Sequence, residues 1–127
     1  MTLVELVIVM AIMSLLLLLA LPNYQSYMLR VHRSDAVRML LQAAICQEKI
    51  YANLGSYDIG LCQSSPEQKR YKLTFQSAER YGQVYIATAT PQGAQQSDPC
   101  GSLSLDQSGN RTVSNTGVSV MKCWNGR

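Results

Sequence analysis

The chain has 127 residues and a formal net charge of +3, from 11 Lys and Arg against 8 Asp and Glu. This length accommodates one small domain, and so mild a charge does not by itself argue for a nucleic-acid partner. A Ser or Cys nucleophile needs a base within reach, but the single histidine, His32, lies among Arg30, Arg33 and Ser34 on the flank of a helix and far in sequence from the cysteines. Asp98 and Asp106 have no acidic loop around them. The sequence therefore predicts a protein that is not an enzyme and that binds no cofactor and no metal.

An apolar segment of membrane-spanning length runs from Leu3 to Leu21 and contains one carboxylate, Glu5. About twenty apolar residues cross a bilayer as a helix, and an ionised group inside such a helix is costly and needs a partner. The nearest candidate partner is the α-amino group of another copy of the chain, which implies a polymer. A signal peptide is disfavoured because no Lys or Arg precedes the run and no small-residue cleavage site ends it. An ordinary anchor would leave Thr2, Glu5 and Pro22 unexplained.

The helical pattern continues to about Asn53, where Leu54-Gly55-Ser56 supplies a stop signal. Pro22 lacks an amide donor and clashes with the carbonyl four residues earlier, so we expect a kink or a locally unwound segment near it. Beyond Pro22, apolar residues recur at helical spacing and predict a stripe that packs on a domain: Ala36, Met39, Leu40, Ala43, Cys46 and Ile50. Polar residues are expected mostly on the other faces: Arg33, Asp35, Arg38, Gln42, Glu48 and Lys49.

The second half of the chain has the alternation and turn residues of a small sheet. Residues 55–70 are predicted to form a loop, followed by a half-buried strand from Tyr71 to Gln76 and a turn at Glu79-Arg80-Tyr81-Gly82. Further strands are expected from Val84 to Thr90, from Ser102 to Asp106 and, in short form, from Arg111 to Ser114, with a polar loop from Pro91 to Pro99. The fold class is therefore α+β, with one long N-terminal helix laid against a small antiparallel sheet.

Four cysteines, Cys46, Cys62, Cys100 and Cys123, are widely spaced and contain no C-x-x-C motif. Such spacing argues against a zinc knuckle, and an even cysteine count in an exported chain indicates disulfide bonds. Four cysteines permit three connectivities. The most local of these joins Cys46 to Cys62 and Cys100 to Cys123.

Several blocks of the sequence resemble type IV pilins. Thr2-Leu3-Val4-Glu5-Leu6, the run to Ala20-Leu21-Pro22, and then Tyr24 and Tyr27 are similar to the start of a mature type IV pilin. Later blocks resemble the globular part of short minor pilins of the type IVa class: Tyr71-Lys72-Leu73-Thr74, Tyr85 to Pro91, Asp98 to Leu105, and Cys123-Trp124. Two positions depart from the usual pattern, because Met1 replaces the common Phe and Ser14 replaces the common Gly.

The resemblance implies a pilin roll with two parts. Residues 1–28 are expected to form the apolar half that first crosses the inner membrane as a single span and later fills a filament core. Residues 29–127 are expected to form the globular periplasmic domain that ends on the surface of an extracellular pilus. Met1 would be exposed and methylated by a prepilin peptidase, and Met1, Thr2, Glu5 and Pro22 would serve assembly. The family also implies the Cys100–Cys123 bond.

The implied function is that of a structural subunit, major or minor, which polymerises with itself and other pilins through the pilus assembly machinery. A basic cluster just past the apolar run, formed by Arg30, Arg33 and Arg38 with His32, leaves a second function open. It is a solvated face, a contact with lipid headgroups, or a DNA-binding stripe made by stacked copies, since phosphate contacts add up along a polymer. A pseudopilin of a type II secretion system shares the tail, but the Cys-Trp ending favours a pilin.

Overall fold

The structure, a computed structural model, describes residues 1–62, 69–77 and 82–126. One helix, α1, runs from Leu3 to Leu54, and a four-stranded antiparallel sheet packs against its second half. The predicted α+β class, with one long N-terminal helix on a small sheet, is confirmed.

Local signals fix both ends of α1. The Thr2 hydroxyl caps the N-terminus by accepting a hydrogen bond from the Glu5 amide at 3.4 Å. At the other end, Gly55 adopts a left-handed conformation with φ of 71° and donates its amide to the Tyr51 carbonyl at 2.8 Å. Glycine adopts this conformation without steric cost, so the predicted stop signal is confirmed.

Within the described helix, α1 continues through Pro22 without a break. The local unwinding that the sequence offered as one alternative is therefore absent from the single chain. Leucines precede Pro22 and favour the helix strongly, and Asn23 Nδ2 donates to the Leu19 carbonyl at 3.3 Å, which adds a hydrogen bond one turn before the proline. In an isolated chain, nothing packs against this segment to hold an alternative conformation.

The sheet contains β1 (Tyr71–Gln76), β2 (Ile86–Pro91), β3 (Leu103–Asp106) and β4 (Arg111–Val113), in that spatial order. All four predicted strands are present, although β2 begins two residues later than predicted and includes Pro91. The register places Leu73 opposite Ala89 and Ala89 opposite Leu103. Residues 63–68 of the predicted loop and 78–81 of the predicted turn lie outside the described residues.

The core lies between the apolar stripe of α1 and the inner face of the sheet. Four helical stripe residues are buried, namely Ala36, Met39, Leu40 and Ala43. They meet inward-facing residues of β2 and β3, which are Ala87, Ala89, Leu103 and Leu105. The small side chains on β2 let the helix approach the sheet closely. Cys46 and Ile50, predicted on the same stripe, are half-buried near its end.

Two short helices were not predicted from the sequence. A 3-10 helix spans Gly93–Ser97 within the segment that was expected to be a polar loop, and α2 spans Val120–Trp124 near the C-terminus. The disulfide bonds of the structure join Cys46 to Cys62 and Cys100 to Cys123. The second bond attaches α2 to the segment that leads into β3.

Candidate assembly and nucleic-acid interfaces

The apolar segment from Leu3 to Leu21 is not buried against any other described part of the chain. Every side chain from Leu3 to Leu21 is exposed, ranging among the large apolar residues from 49% for Leu6 to 79% for Leu3. By length and composition this is the one described helix that could cross a membrane. So large an apolar surface needs lipid or other protein chains to cover it.

Glu5 lies in the first turn of α1, and its side chain is exposed. Among the described residues, no Lys, Arg or His side chain forms an ion pair with it. A carboxylate in the first turn is favoured by the helix dipole, but that interaction leaves its oxygens free for a cation from outside the chain. Met1 lies at the same end of the helix and is fully exposed. Within the described part of the chain, Glu5 thus presents an unpaired carboxylate near the tip of the tail.

Ser14 lies in the middle of the tail, where its hydroxyl donates to the Met10 carbonyl at 2.8 Å. The bond reaches the carbonyl one helical turn back. Such a bond satisfies the hydroxyl within an apolar surface and tends to bend a helix slightly. It leaves the helix intact at this position.

Arg33 belongs to a buried ion pair and not to an exposed basic cluster. Its Nε and Nη2 atoms donate to Asp98 Oδ2 and Oδ1 at 2.7 and 2.6 Å, and the two residues are 4% and 3% exposed. The expectation that Arg33 contacts nucleic acid or headgroups is therefore wrong for this fold. Arg33 lies three residues before Ala36 and seven before Leu40, which puts it on the buried stripe; that spacing was the signal available in the sequence.

A polar network surrounds this ion pair. The Tyr71 hydroxyl donates to Asp98 Oδ2 at 3.2 Å, and Asp98 Oδ1 also accepts the Cys100 amide at 3.0 Å. Burial raises the pKa of Tyr71 to about 12, so its hydroxyl stays a donor at physiological pH. Gln95 Nε2 donates to the Leu29 carbonyl and to the Tyr71 oxygen, both at 2.9 Å. The network fastens α1, β1, the 3-10 helix and the Cys100 segment to one another.

The remaining predicted basic residues lie in two different grooves. Arg30 lies in a groove against the C-terminal segment, which Tyr27 and Gly126 also line. Arg38 lies instead beside Lys69 and Arg70, in a cavity of about 400 Å³ between α1 and the start of β1. We call this second site the basic groove; its other lining residues include His32, Asp35 and Tyr71.

Charge in the basic groove is predominantly positive. Its one acidic residue, Asp35, lies 3.3 Å from Arg38 Nη2 and 3.8 Å from His32 Nδ1. The Arg38 and Asp35 side chains are 73% and 52% exposed, so solvent screens this pair and it holds Arg38 only weakly. The basic side chains therefore remain available to a phosphate. Lys69 and Arg70 directly precede β1 and were not singled out in the sequence.

The described residues contain no cluster of His, Cys, Asp and Glu that could hold a metal ion. Asp106 instead closes the turn between β3 and β4, where its Oδ1 accepts the amides of Ser108 and Asn110, both at 2.9 Å. The hydrogen bond from the Ser108 hydroxyl, first among these contacts, lowers the pKa of Asp106. The side chain thus has a structural role in the turn.

Comparisons with known proteins agree on one family. Residues 22–104 match the family described as type IV minor pilin ComP, DNA uptake sequence receptor. A type IV pilin from Shewanella oneidensis has a similar structure, with a TM-score of 0.59 and 30% identity over 72% of this chain and 98% of that one. The non-core minor pilin PilV from Neisseria meningitidis shares the fold, with a TM-score of 0.58 and 23% identity over 75% of this chain and 95% of that one. No curated protein sequence matches the chain significantly.

Proposed function

Because the chain belongs to the family of the type IV minor pilin ComP, we propose that it enters an extracellular pilus through its apolar tail and carries its globular part on the filament surface. The chain is a type IV pilin, and its apolar tail fits membrane anchoring and assembly with other pilins. The observation that carries the proposal is the complete exposure of the tail in a chain whose globular part has its own core.

Assembly transfers the tail from lipid to a bundle of other tails. Because lipid chains and leucine side chains are similarly apolar, this transfer is roughly neutral in hydrophobic free energy, and other forces must fix the register. Glu5 and the Met1 amino group of a neighbouring chain supply that register, since a displaced tail would leave both charges unpaired in an apolar core. Leaving one buried charge unpaired costs about 3–5 kcal/mol. The ion pair thus selects the register in which neighbouring tails align, and it adds little to the strength with which they associate.

Head-to-tail contacts of this kind do not close on themselves, so the assembly grows as a filament. Before assembly the subunit is held in the inner membrane as a single span, with residues 29–127 outside. A prepilin peptidase acting at Met1 and the pilus assembly machinery are the partners that this route requires. Their contacts with the chain are part of the proposal.

The experiment that tests pilus membership is mass spectrometry of sheared surface filaments. We expect peptides from the globular part of this chain to co-purify with filaments and to disappear when the assembly motor is inactivated. Chain that remains wholly in the membrane fraction of piliated cells would contradict the proposal. The ratio of this chain to other pilins in the same sample decides whether it is a major or a minor subunit.

DNA binding is the second candidate function, and a specific observation favours it. The family that matches is described as a DNA uptake sequence receptor, and the matched residues 22–104 contain the whole basic groove. Arg38, Lys69 and Arg70 line that groove, whereas its one carboxylate belongs to Asp35. Duplex DNA carries a phosphate about every 1.7 Å of axis, so several subunits along a filament would contact one molecule together.

A titration of duplex DNA with the full chain in detergent tests this function. We expect binding that weakens steeply as salt is raised, because Lys and Arg contacts release condensed counterions. Absence of binding at low salt would exclude this candidate and leave the structural function unaffected.

A further inference from the structure

A second cavity opens between the lower part of the globular domain and the segment of α1 that follows the apolar tail. Its volume is about 480 Å³, and its walls include Tyr24, Met28, His32, Arg70, Gln95 and Ser97. We call it the juxtamembrane cavity. It adjoins the basic groove, since His32 and Arg70 line both. We propose that the juxtamembrane cavity binds the phosphate headgroup of a membrane phospholipid while the subunit is in the bilayer.

The lower end of the cavity, at Tyr24, reaches the headgroup layer of the membrane. The nineteen residues from Leu3 to Leu21 extend about 28 Å as a helix, which matches a hydrocarbon core of about 30 Å. Tyr24 and Met28 follow Leu21 by about 4.5 and 10 Å, and the polar layer outside the hydrocarbon is about 5–8 Å thick on each side. Tyr24, at the lower end of the cavity, therefore lies within the headgroup layer, and Met28 lies just beyond it. This step rests on the membrane placement given under the proposed function.

The chemistry of the walls follows the order of groups in a phospholipid. Tyr24 and Met28 form the side nearest the tail, and Tyr24 is an amphipathic ring of the kind that favours the membrane interface. The Arg70 side chain belongs to the far side, is exposed, and has no acidic partner among the described residues. A guanidinium binds phosphate through two parallel hydrogen bonds. The glycerol would then rest against the Tyr24 side, which lies nearest the hydrocarbon.

Electrostatics in the cavity favour an anion. Asp98, the nearest buried carboxylate, is fully engaged by Arg33 and by the Tyr71 hydroxyl. Two buried polar atoms of wall residues, His32 Nε2 and Gln95 Oε1, have no hydrogen-bond partner within the described part of the chain. Gln95 is fully buried. Of these two atoms, His32 Nε2 can donate to a phosphate oxygen, whereas Gln95 Oε1 only accepts and needs a hydroxyl or ammonium group of the same headgroup.

The test uses the full chain in nanodiscs of phosphatidylethanolamine and phosphatidylglycerol, released into mild detergent for native mass spectrometry. We expect the wild-type chain to retain one phospholipid. Loss of the charge-assisted bonds in Arg70→Gln should lower the lipid-bound fraction about tenfold, and Ala94→Trp should lower it by filling the cavity. Lys49→Gln removes the same charge about 42 Å beyond Leu21 and should leave retention unchanged. Circular dichroism establishes that each variant is folded.

The possible outcomes separate this inference from the proposed function. Equal retention by the wild type and Arg70→Gln, in chains that insert normally into the nanodiscs, overturns the cavity site and leaves pilus membership standing. Displacement of the lipid by inorganic phosphate or by duplex DNA would show a general anion site and would also overturn it. If the wild-type chain does not insert at all, the membrane placement fails, and the inference fails with it.

Discussion

Arg33 on α1 and Asp98 after the 3-10 helix, sixty-five positions apart, form a buried bidentate ion pair with N–O distances of 2.7 and 2.6 Å. This pair joins the long helix to the segment that leads through Cys100 into β3. In the proposed filament α1 carries the load and the sheet lies at the surface, so the pair is a polar link between the two. Tyr71 and Gln95 complete its hydrogen bonding.

Breaking this pair from one side should destabilise the globular domain strongly. Arg33→Met leaves the Asp98 carboxylate buried and without its main partner, and removal of one member of a buried pair costs about 3–5 kcal/mol. For a domain of this size, each kcal/mol lowers the melting temperature by about 4–8 °C. Thermal unfolding of the full chain in detergent, followed by circular dichroism, measures the change.

Arg38→Met is the matched control, because the Arg38–Asp35 pair is exposed and is worth at most about 1 kcal/mol. A change of similar size in both variants would contradict the distinct role assigned to Arg33. The double variant Arg33→Met with Asp98→Leu should recover part of the loss, because apolar residues of similar size often replace a buried pair without cost.

The architecture was predictable from the sequence, but this network was not. Helix periodicity and strand alternation are local patterns, and they predicted α1 and all four strands correctly. Gln95 and Asp98 lie in a polar segment that local composition marks as a loop, and only the tertiary fold turns it inward against α1. Arg33 could have been placed on the buried face by its spacing from Ala36 and Leu40, yet nothing local identifies Asp98 as its partner.

The free energy of unfolding should fall as the pH rises above 10, the ordinary pKa of tyrosine. Burial raises the pKa of Tyr85 from its ordinary value of 10.0 to about 12, so the folded state keeps a proton that the unfolded state releases. Below pH 10 this stabilisation is complete; it is lost as the pH rises towards 12, by about 2–3 kcal/mol for this residue alone. The pKa of Tyr71 is also raised to about 12, so Tyr71 adds to this loss of stability between pH 10 and 12.

Urea unfolding at a series of pH values checks this dependence. The Tyr85 hydroxyl makes no hydrogen bond to another described residue, so Tyr85→Phe should change the free energy of unfolding little at pH 8 and should reduce its decrease between pH 10 and 12. An unchanged alkaline slope in Tyr85→Phe would show that Tyr85 does not titrate in this way. Tyr71→Phe is a poorer probe, because it also removes the bond to Asp98.

Removing the charge at Glu5 should stop incorporation into filaments while leaving the subunit folded. Glu5→Ala deletes the partner proposed for a neighbour's amino group, yet the tail stays apolar and the globular core does not contact it. We expect the variant in the membrane fraction at normal level and at least about tenfold depleted from sheared filaments, given the cost of an unpaired buried charge. Glu48→Ala, which deletes an exposed carboxylate higher on the same helix, should assemble normally. Abundant filaments that contain the Glu5→Ala variant would contradict the proposed pairing of Glu5 with a neighbour's amino group.

The basic groove should determine the salt dependence of DNA binding. In the double variant Arg38→Gln with Lys69→Gln, two phosphate contacts disappear, so the slope of log affinity against log salt should decrease by about 2. Arg30→Gln is the control, because Arg30 lies in a different groove beside the C-terminal segment. Fluorescence anisotropy with a labelled duplex at several salt concentrations gives each slope. A larger decrease of this slope in Arg30→Gln would instead place the DNA interface at the groove that Arg30 lines.

In an assembled filament, we expect a short non-helical stretch within Leu16 to Leu21, although α1 is continuous in the single chain. Pro22 cannot donate to the Leu18 carbonyl, so this turn is already one hydrogen bond short, and tight packing between neighbouring tails can supply new partners for the freed groups. Nearer the N-terminus, Ser14 bonds to the Met10 carbonyl and no proline interrupts the backbone hydrogen bonds of the helix. Pro22→Ala restores the missing amide donor and should keep the helix intact in the filament. Ser14→Ala should not change the position of the non-helical stretch. Cryo-electron microscopy of filaments built mainly from this chain decides the matter, because a straight helix through Pro22 or a break centred near Met10 contradicts the expectation.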